Sequence, residues 1–194
     1  MLFSNKHRVL FIHVSRTGGN TIQELLRASM TDSEGGLKSK NLSLHATANQ
    51  IANAFGTDFH TYFRFAFVRN PWDRLWSWYS LRRLATGDTR MTFDAFLDLW
   101  IPRHGPLALT SQTDSLHSPS GELLVHALGR YENFASDLKA IFKQAELPLP
   151  SEIPCLNASG AGHYSHFYSD YGRDLVEHAY QADLENFDYR YEPN

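Results

Sequence analysis

The most informative segment for the fold is Val9-Leu10-Phe11-Ile12-His13-Val14-Ser15-Arg16-Thr17-Gly18-Gly19-Asn20-Thr21-Ile22. Its first six residues are mostly apolar and strand-favouring, which is typical of a strand buried on both faces. Two glycines follow, and apolar residues at positions 22, 25, 26 and 30 then recur at helical spacing. A strand, a glycine loop and a helix in succession predict a sheet covered by helices.

The same alternation continues along the chain. A second strand is expected at 62–68, and the helix that follows it runs to about residue 84, with Asn70 as its N-cap and Pro71 at its first position. A third strand is expected at 123–128. Further helices are expected at 46–54, 93–101, 135–146 and 172–186, and a structureless binding loop at 102–121. The prediction is an α/β fold with a parallel central sheet flanked by helices, whose ligands lie at the carboxyl ends of the strands.

Length and composition restrict the class of protein. The chain has 194 residues, so we expect one domain over residues 1–194. No run approaches the roughly 18 apolar residues that a membrane span requires, and the apolar cluster at 9–12 is too short for a signal peptide. These features predict a cytoplasmic protein. Cys155 is the only cysteine, which excludes an intrachain disulfide and a cysteine-rich zinc site.

The charge is small overall but unevenly placed. The net charge of −3 argues against binding to nucleic acid or other large polyanions. Residues 64–90, however, contain six arginines and only two aspartates. This cationic segment indicates one small anionic ligand, although a solvated arginine-rich helix would explain the same composition.

The glycine loop has the features of a phosphate site. Gly18 and Gly19 allow the backbone to approach a ligand closely, and the amides of residues 18–21 lie at a helix N-terminus, where an anion is favoured. Arg16, Thr17 and Thr21 add a cation and hydroxyl groups. The loop lacks the Gly-x-x-x-x-Gly-Lys-Ser/Thr pattern of common nucleotide-binding loops. A plain tight turn would also account for the two glycines.

The end of the second strand offers another anion site. Arg69 follows the strand, and Arg74 and Ser77 come five and eight residues later, on one face of the next helix. Two guanidiniums and a hydroxyl near a helix N-terminus suit a phosphate group. An ion pair of Arg74 with an acidic neighbour is the alternative. Both sites together predict a ligand with two separated phosphate-like groups.

The chain resembles the sulfotransferases, above all the carbohydrate sulfotransferases and the small bacterial proteins akin to them. Residues 11–22 resemble their 5′-phosphosulfate loop, and residues 65–79 resemble their 3′-phosphate motif, Arg-Asn-Pro-x-x-Arg-x-x-Ser-x-Tyr. Residues 129–134 resemble the family's Arg-Phe-Glu-Asn segment. Residues 156–159, which include Ser159, resemble its C-terminal cofactor loop. The resemblance covers nearly the whole chain and is weakest at 102–121.

The resemblance implies a P-loop-like sulfotransferase fold and a reaction. In this family a sulfuryl group passes from 3′-phosphoadenosine-5′-phosphosulfate (PAPS) to an acceptor hydroxyl, leaving 3′,5′-ADP, and no metal is required. We expect a carbohydrate acceptor. The residues implied to bind the donor are Arg16, Thr17, Gly18, Gly19, Asn20 and Thr21 at the phosphosulfate, Arg69 and Ser77 at the 3′-phosphate, and Ser159 in the C-terminal loop.

The loop departs from the family pattern at position 16. Arg16 stands where the family usually has lysine, and Asn20 replaces a common hydroxyl residue. A guanidinium neutralises charge but has a pKa above about 12, so it donates a proton poorly. We therefore expect binding to be retained better than turnover. Two alternatives follow: a nucleotide kinase or other phosphoryl transferase, and a non-catalytic nucleotide- or sugar-binding module.

The reaction also requires a base that takes the acceptor proton. His45 is our choice among the ten histidines, because bacterial proteins resembling this chain carry a similar histidine ahead of the 3′-phosphate strand. An ordinary surface histidine at a helix start is the alternative for this residue. His13 falls within the first predicted strand and is expected to pack in the core. Arg16 and His45 are thus the predicted catalytic residues; the acceptor's identity and the oligomeric state stay open.

Overall fold

The computed structural model describes residues 1–35, 42–150, 152–153 and 162–193. The strands are β1 Leu2–Ser4, β2 Val9–Ile12, β3 Glu34–Gly35, β4 Phe63–Val68 and β5 Ala127–Arg130. The α-helices are α1 Gly19–Ser29, α2 Ala48–Phe55, α3 Pro71–Thr86, α4 Phe93–Ala95, α5 Ile101–His104, α6 Pro106–Leu109, α7 Gln112–Leu116, α8 Phe134–Gln144, α9 Asp170–Ala179 and α10 Gln181–Phe187. The chain divides into two compact units, Met1–Val68 with Asp114–Leu156, and Arg69–Thr113 with Asn157–Asn194.

The first unit contains the sheet, whose strand order is β3-β1-β2-β4-β5. Strands β2, β4 and β5 are parallel, with Ile12 opposite Ala66 and Val68 opposite Arg130. The predicted α/β class with a parallel central sheet is therefore confirmed. Strands β1 and β3 extend the sheet in the antiparallel sense and were not predicted, because they are only three and two residues long.

One face of this sheet carries a continuous apolar core. The alternating residues Phe11, Phe65 and Phe67 are fully buried, as the two-residue repeat of a strand requires. They belong to one cluster with side chains of α1 and α8, among them Leu26 and Phe142. Both helices therefore lie against the sheet through one apolar stripe each, and α1 follows directly from the loop after β2.

The second unit is built around α3. The Asn70 side chain accepts a hydrogen bond from the Trp72 amide and Pro71 opens the helix, which confirms the predicted helix start. Trp72, Trp76 and Tyr79 are buried in one aromatic cluster with residues from α9 and from the region of α4. The prediction that this stripe faces a core is confirmed.

Two predictions for the segments around α3 are wrong. Residues 102–121 are not structureless, because they contain most of α5 together with α6 and α7. Long-range contacts order this segment, such as the hydrogen bond from the Tyr180 hydroxyl to the Ala108 carbonyl, and local composition does not reveal them. The helix that begins after Thr92 also does not end at Pro102. It continues through a π-helical turn, Phe96–Trp100, into α5, and Pro102 is one of the first two residues of α5.

The last predicted helix, 172–186, consists of two helices. Helix α9 ends before Tyr180, whose backbone leaves the helical region with φ −118° and ψ 26°, and α10 begins at Gln181. Across the described residues we find no helix that combines the length and apolar character of a bilayer span.

Candidate functional site

The loop between β2 and α1 has an unusual backbone. Arg16 has φ 66° and Gly18 has φ 82°, so both residues occupy the left-handed region, which only glycine adopts at little cost. The Thr17 hydroxyl donates to the Val14 carbonyl at 2.9 Å and braces this turn. The hydroxyl proton of Thr17 therefore points to the backbone, whereas this hydroxyl was expected to donate to a ligand.

The start of α1 carries no side-chain cap. Its N-cap residue is Gly18, whereas α2 is capped by Thr47 and α3 by Asn70. The amides of a helix's first turn have no partner within the helix, and the helix dipole makes this end attractive to anions. The start of α1 thus has the chemistry of an anion site.

Neither glycine of the loop has room for a side chain. A Cβ atom on Gly18 would lie 2.4 Å from the Phe134 ring, and one on Gly19 would lie 1.9 Å from Nε2 of His13. Both distances are far inside van der Waals contact. The two glycines are therefore required by packing as well as by backbone geometry, and the imidazole of His13 lies against the α-carbon of Gly19.

His13 connects this loop with His45. His13 was expected within the first strand, but strand β2 ends at Ile12. His13 is therefore the first residue beyond the strand. The His45 Nδ1 donates to the His13 carbonyl at 3.1 Å, and the two ring centroids lie 4.4 Å apart. The structure thus brings the predicted base close to the loop through a residue that the sequence had assigned to packing.

His13 is held in its neutral form. Its side chain is 7% exposed, and burial, followed by the charge of His45, lowers the pKa of the imidazole to about 3. Gln23 is the hydrogen-bond partner of His13 Nδ1 at 2.9 Å.

Arg69 follows β4 and lies at the start of the second unit. Its Nε donates to the Asp73 carboxylate at 2.8 Å. Its main chain is held by Gln112, whose Oε1 accepts from the Arg69 amide and whose Nε2 donates to the Arg69 carbonyl, both at 2.8 Å. Position 69 is thus fixed at both its backbone and its side chain.

The match to known families agrees with this geometry. The family model described as the sulfotransferase family covers residues 1–190. The chain belongs to the sulfotransferase family. A comparison with curated proteins gives no match.

Arg74 of the sulfotransferase is held by the backbone of a neighbouring segment. The residue is 1% exposed, and its NH2 donates to the carbonyls of Leu107 and Thr110 at 2.9 and 3.1 Å. Burial lowers the pKa of this group. Arg74 therefore stabilises the segment between α5 and α7, and its expected place with Arg69 at one anionic ligand stays a prediction. Ser77 is also buried and lies one turn further along α3.

Asp183 and Gln112 are residues that the sequence did not assign to the site. The buried Asp183 carboxylate accepts hydrogen bonds from the amides of Gln112 and Thr113, at 2.9 and 2.8 Å, and from Gln112 Nε2 at 3.3 Å. No local signal in the sequence marked Gln112. The importance of both residues follows from long-range contacts, because Gln112 lies 43 residues after Arg69 and 71 residues before Asp183.

The remaining predicted site residues are Asn20, Thr21 and Ser159. Thr21 is buried in the first turn of α1 and Asn20 is exposed beside it. Ser159 lies outside the described residues. Within the described ranges, no group of three or more His, Cys, Asp or Glu side chains is placed to hold a metal ion.

Proposed function

We propose that this sulfotransferase transfers a sulfuryl group from PAPS to a hydroxyl group of a carbohydrate acceptor. The observation that carries the proposal is the uncapped N-terminus of α1, reached through a loop whose two glycines are closed against His13 and Phe134. Family membership supports the sulfuryl transfer, and the specific donor and acceptor are the proposed part. The donor supplies an activated sulfuryl group whose leaving group is a phosphate oxygen.

The loop residues fit the charged end of this donor. The amides of residues 18–21 and the cation of Arg16 hold the 5′-phosphosulfate, and the absent cap on α1 leaves this end of the helix for an anion. Amides and a cation stabilise charge that develops on the leaving oxygen without a further cofactor. Thr17 contributes its backbone, because its hydroxyl already braces the turn.

His45 takes the acceptor proton in this proposal. The His13 carbonyl can only accept a hydrogen bond, so the neutral His45 ring carries its proton on Nδ1 and keeps the lone pair on Nε2. A base oriented in this way removes the hydroxyl proton as the acceptor oxygen attacks sulfur. The bond between sulfur and the bridging oxygen breaks, and its electron pair remains on the phosphate.

Arg69 and Ser77 bind the 3′-phosphate. Arg69 is oriented by Asp73 through its side chain and by Gln112 through its backbone, so little ordering remains to be done when a phosphate binds. Holding the 3′-phosphate helps to orient the donor for the attack of a hydroxyl.

Calorimetry tests the donor. We expect 3′,5′-ADP to bind at least about tenfold more tightly than 5′-AMP, and Arg69→Ala to remove most of this preference, because one charge-assisted contact contributes roughly 1.5–3 kcal/mol. Equal affinities in the wild type would refute the assigned 3′-phosphate site. An unchanged preference in Arg69→Ala would move that site elsewhere.

One observation favours a second candidate, a nucleotide-binding module without turnover. Arg16 occupies the usual lysine position with a left-handed backbone, and a guanidinium is a poor proton donor. A single-turnover assay with labelled PAPS and a set of oligosaccharides separates the two. Label transfer to a sugar supports the enzyme, whereas tight donor binding with no transfer to any acceptor supports the module.

A further inference from the structure

The side chain of His13 has a proton whose position is determined by its neighbours. Oε1 of Gln23 accepts a hydrogen bond from NH2 of Arg27 at 3.0 Å, and a guanidinium can only donate. The amide nitrogen of Gln23 therefore faces His13, where it donates to Nδ1 at 2.9 Å. A neutral imidazole has one N–H, so the proton of His13 lies on Nε2.

This Nε2–H lies at the start of α1. The atom is 1.9 Å from the position that a Cβ of Gly19 would take, so it reaches the backbone of the first residue of the helix. The residue is 93% buried, yet the Nε2 atom has no hydrogen-bond partner among the described residues. Nε2 is not among the described side-chain nitrogens that are both unpartnered and closed to solvent, so it keeps some access to solvent.

We propose that the Nε2–H of His13 donates a hydrogen bond to an oxygen of the phosphate group held at the start of α1. This inference rests on the proposed function, because it names a further residue of the 5′-phosphate site. Nε2 lacks an acceptor in the described part of the protein and keeps some access to solvent, so a ligand oxygen can reach its N–H. An oxyanion at the uncapped helix end supplies the missing acceptor.

The two histidines then have separate tasks. His45 presents a lone pair on Nε2 and serves as the base, whereas His13 presents an N–H and serves as a donor. Burial and the neighbouring His45 oppose a positive charge on His13. A neutral donor stabilises phosphate charge without competing with His45 for the proton of the acceptor.

The test compares two substitutions with opposite chemistry. His13→Leu removes the N–H and keeps an apolar side chain, and His13→Gln keeps an N–H near the position of Nε2. Calorimetry with 3′,5′-ADP and 3′-AMP isolates the contribution of the 5′-phosphate. We expect His13→Leu to reduce the ratio of the two affinities by roughly 10- to 100-fold, and His13→Gln to retain it within about threefold. The affinity for 3′-AMP should stay unchanged in both variants.

The outcomes distinguish this inference from the proposed function. A wild type that binds both nucleotides equally, or neither, overturns the 5′-phosphate site and the role of His13 with it. A wild type that prefers 3′,5′-ADP, with the full preference retained in His13→Leu, overturns the role of His13 alone and leaves the proposed function standing.

A measurement on the wild type guards against a variant that does not fold. Nitrogen NMR of histidine-labelled protein at neutral pH should show His13 protonated on Nε2, and this signal should shift when 3′,5′-ADP is added but not when 3′-AMP is added. A proton on Nδ1, or a signal that does not respond to 3′,5′-ADP, contradicts the inference.

Discussion

The side-chain amide of Gln112 pairs with the main chain of Arg69 through two hydrogen bonds of 2.8 Å, one to the amide and one to the carbonyl. The pairing resembles that between two strands, but a side chain supplies one partner. Asp183 in turn accepts from the Gln112 backbone and side chain. The backbone at the proposed 3′-phosphate residue is thus held by a residue 43 positions further along the chain.

Gln112→Ala is expected to reduce the preference for 3′,5′-ADP over 5′-AMP by roughly 3- to 10-fold while the affinity for 5′-AMP is retained. The Arg69 amide and carbonyl would lose their partners, which also lowers the free energy of unfolding by about 1–3 kcal/mol. Calorimetry and denaturant unfolding measure the two effects. Gln144→Ala, at an exposed end of α8, is the matched control. A stable Gln112→Ala protein with an unchanged nucleotide preference would show that the pairing does not position Arg69.

Gly19→Ala should disrupt the loop through a steric clash. The added methyl group would lie 1.9 Å from the His13 ring, and overpacking of this kind costs about 1–3 kcal/mol. Gly87→Ala is the control, because nothing lies within 4 Å of its Cβ position and only its left-handed backbone adds strain, of about 1 kcal/mol. Thermal unfolding and binding of 3′,5′-ADP are the measurements.

A double substitution identifies the cause of this effect. His13→Ala removes the ring, so Gly19→Ala should cost little in that background. Equal costs in the two backgrounds would mean that the His13 ring is not what excludes a side chain at position 19.

His45→Ala should lower kcat by roughly 100- to 10,000-fold, the usual contribution of a general base. Binding of 3′,5′-ADP should change little, because the base acts on the acceptor. His60→Ala, at an exposed histidine of the same unit, controls for the loss of an imidazole. A His45→Ala enzyme with wild-type kcat would eliminate this residue as the base.

Arg16→Lys should raise kcat by about tenfold or more. Lysine has a pKa of about 10.4, so it donates a proton to a leaving phosphate oxygen more readily than arginine does. Both side chains are cations, so the Kd for 3′,5′-ADP should stay within about threefold. Steady-state kinetics and calorimetry check these expectations, and a fall in kcat would show that the loop is adapted to the guanidinium.

Acid should destabilise the protein through His13. The pKa of this imidazole is about 3 in the folded protein against an ordinary value of 6.5, so the unfolded chain binds more protons between these values. The contribution of His13 to the free energy of unfolding is therefore complete above about pH 6.5. It falls as the pH is lowered, by up to about 1.4 kcal/mol per pH unit. After burial, the charges that lower this pKa are those of His45 and of the N-terminal ammonium of Met1.

The His13→Leu variant provides the comparison. It lacks the titrating group, so its free energy of unfolding should fall less steeply between pH 6.5 and pH 4 than that of the wild type. Urea unfolding at a series of pH values gives both slopes. Parallel curves would mean that His13 does not contribute to acid sensitivity.

Patterns in the sequence were enough to predict the α/β class, the start of α3, the aromatic core stripe and the family. These features are local, because side-chain alternation, capping residues and short motifs are written into neighbouring positions. The sequence could not reveal β1 and β3, whose few residues pair only with strands formed elsewhere, or the order in residues 102–121.

The roles of individual polar residues depend on contacts that form only when the chain packs. Arg74 stands in the family motif, yet burial against the carbonyls of Leu107 and Thr110 makes it a structural residue. His13 is part of an apolar run, yet the end of β2 and the contacts with Gly19, Gln23 and His45 place it at the loop. A side chain's charge, proton position and exposed atoms depend on partners distant in sequence, so they are set when the chain packs.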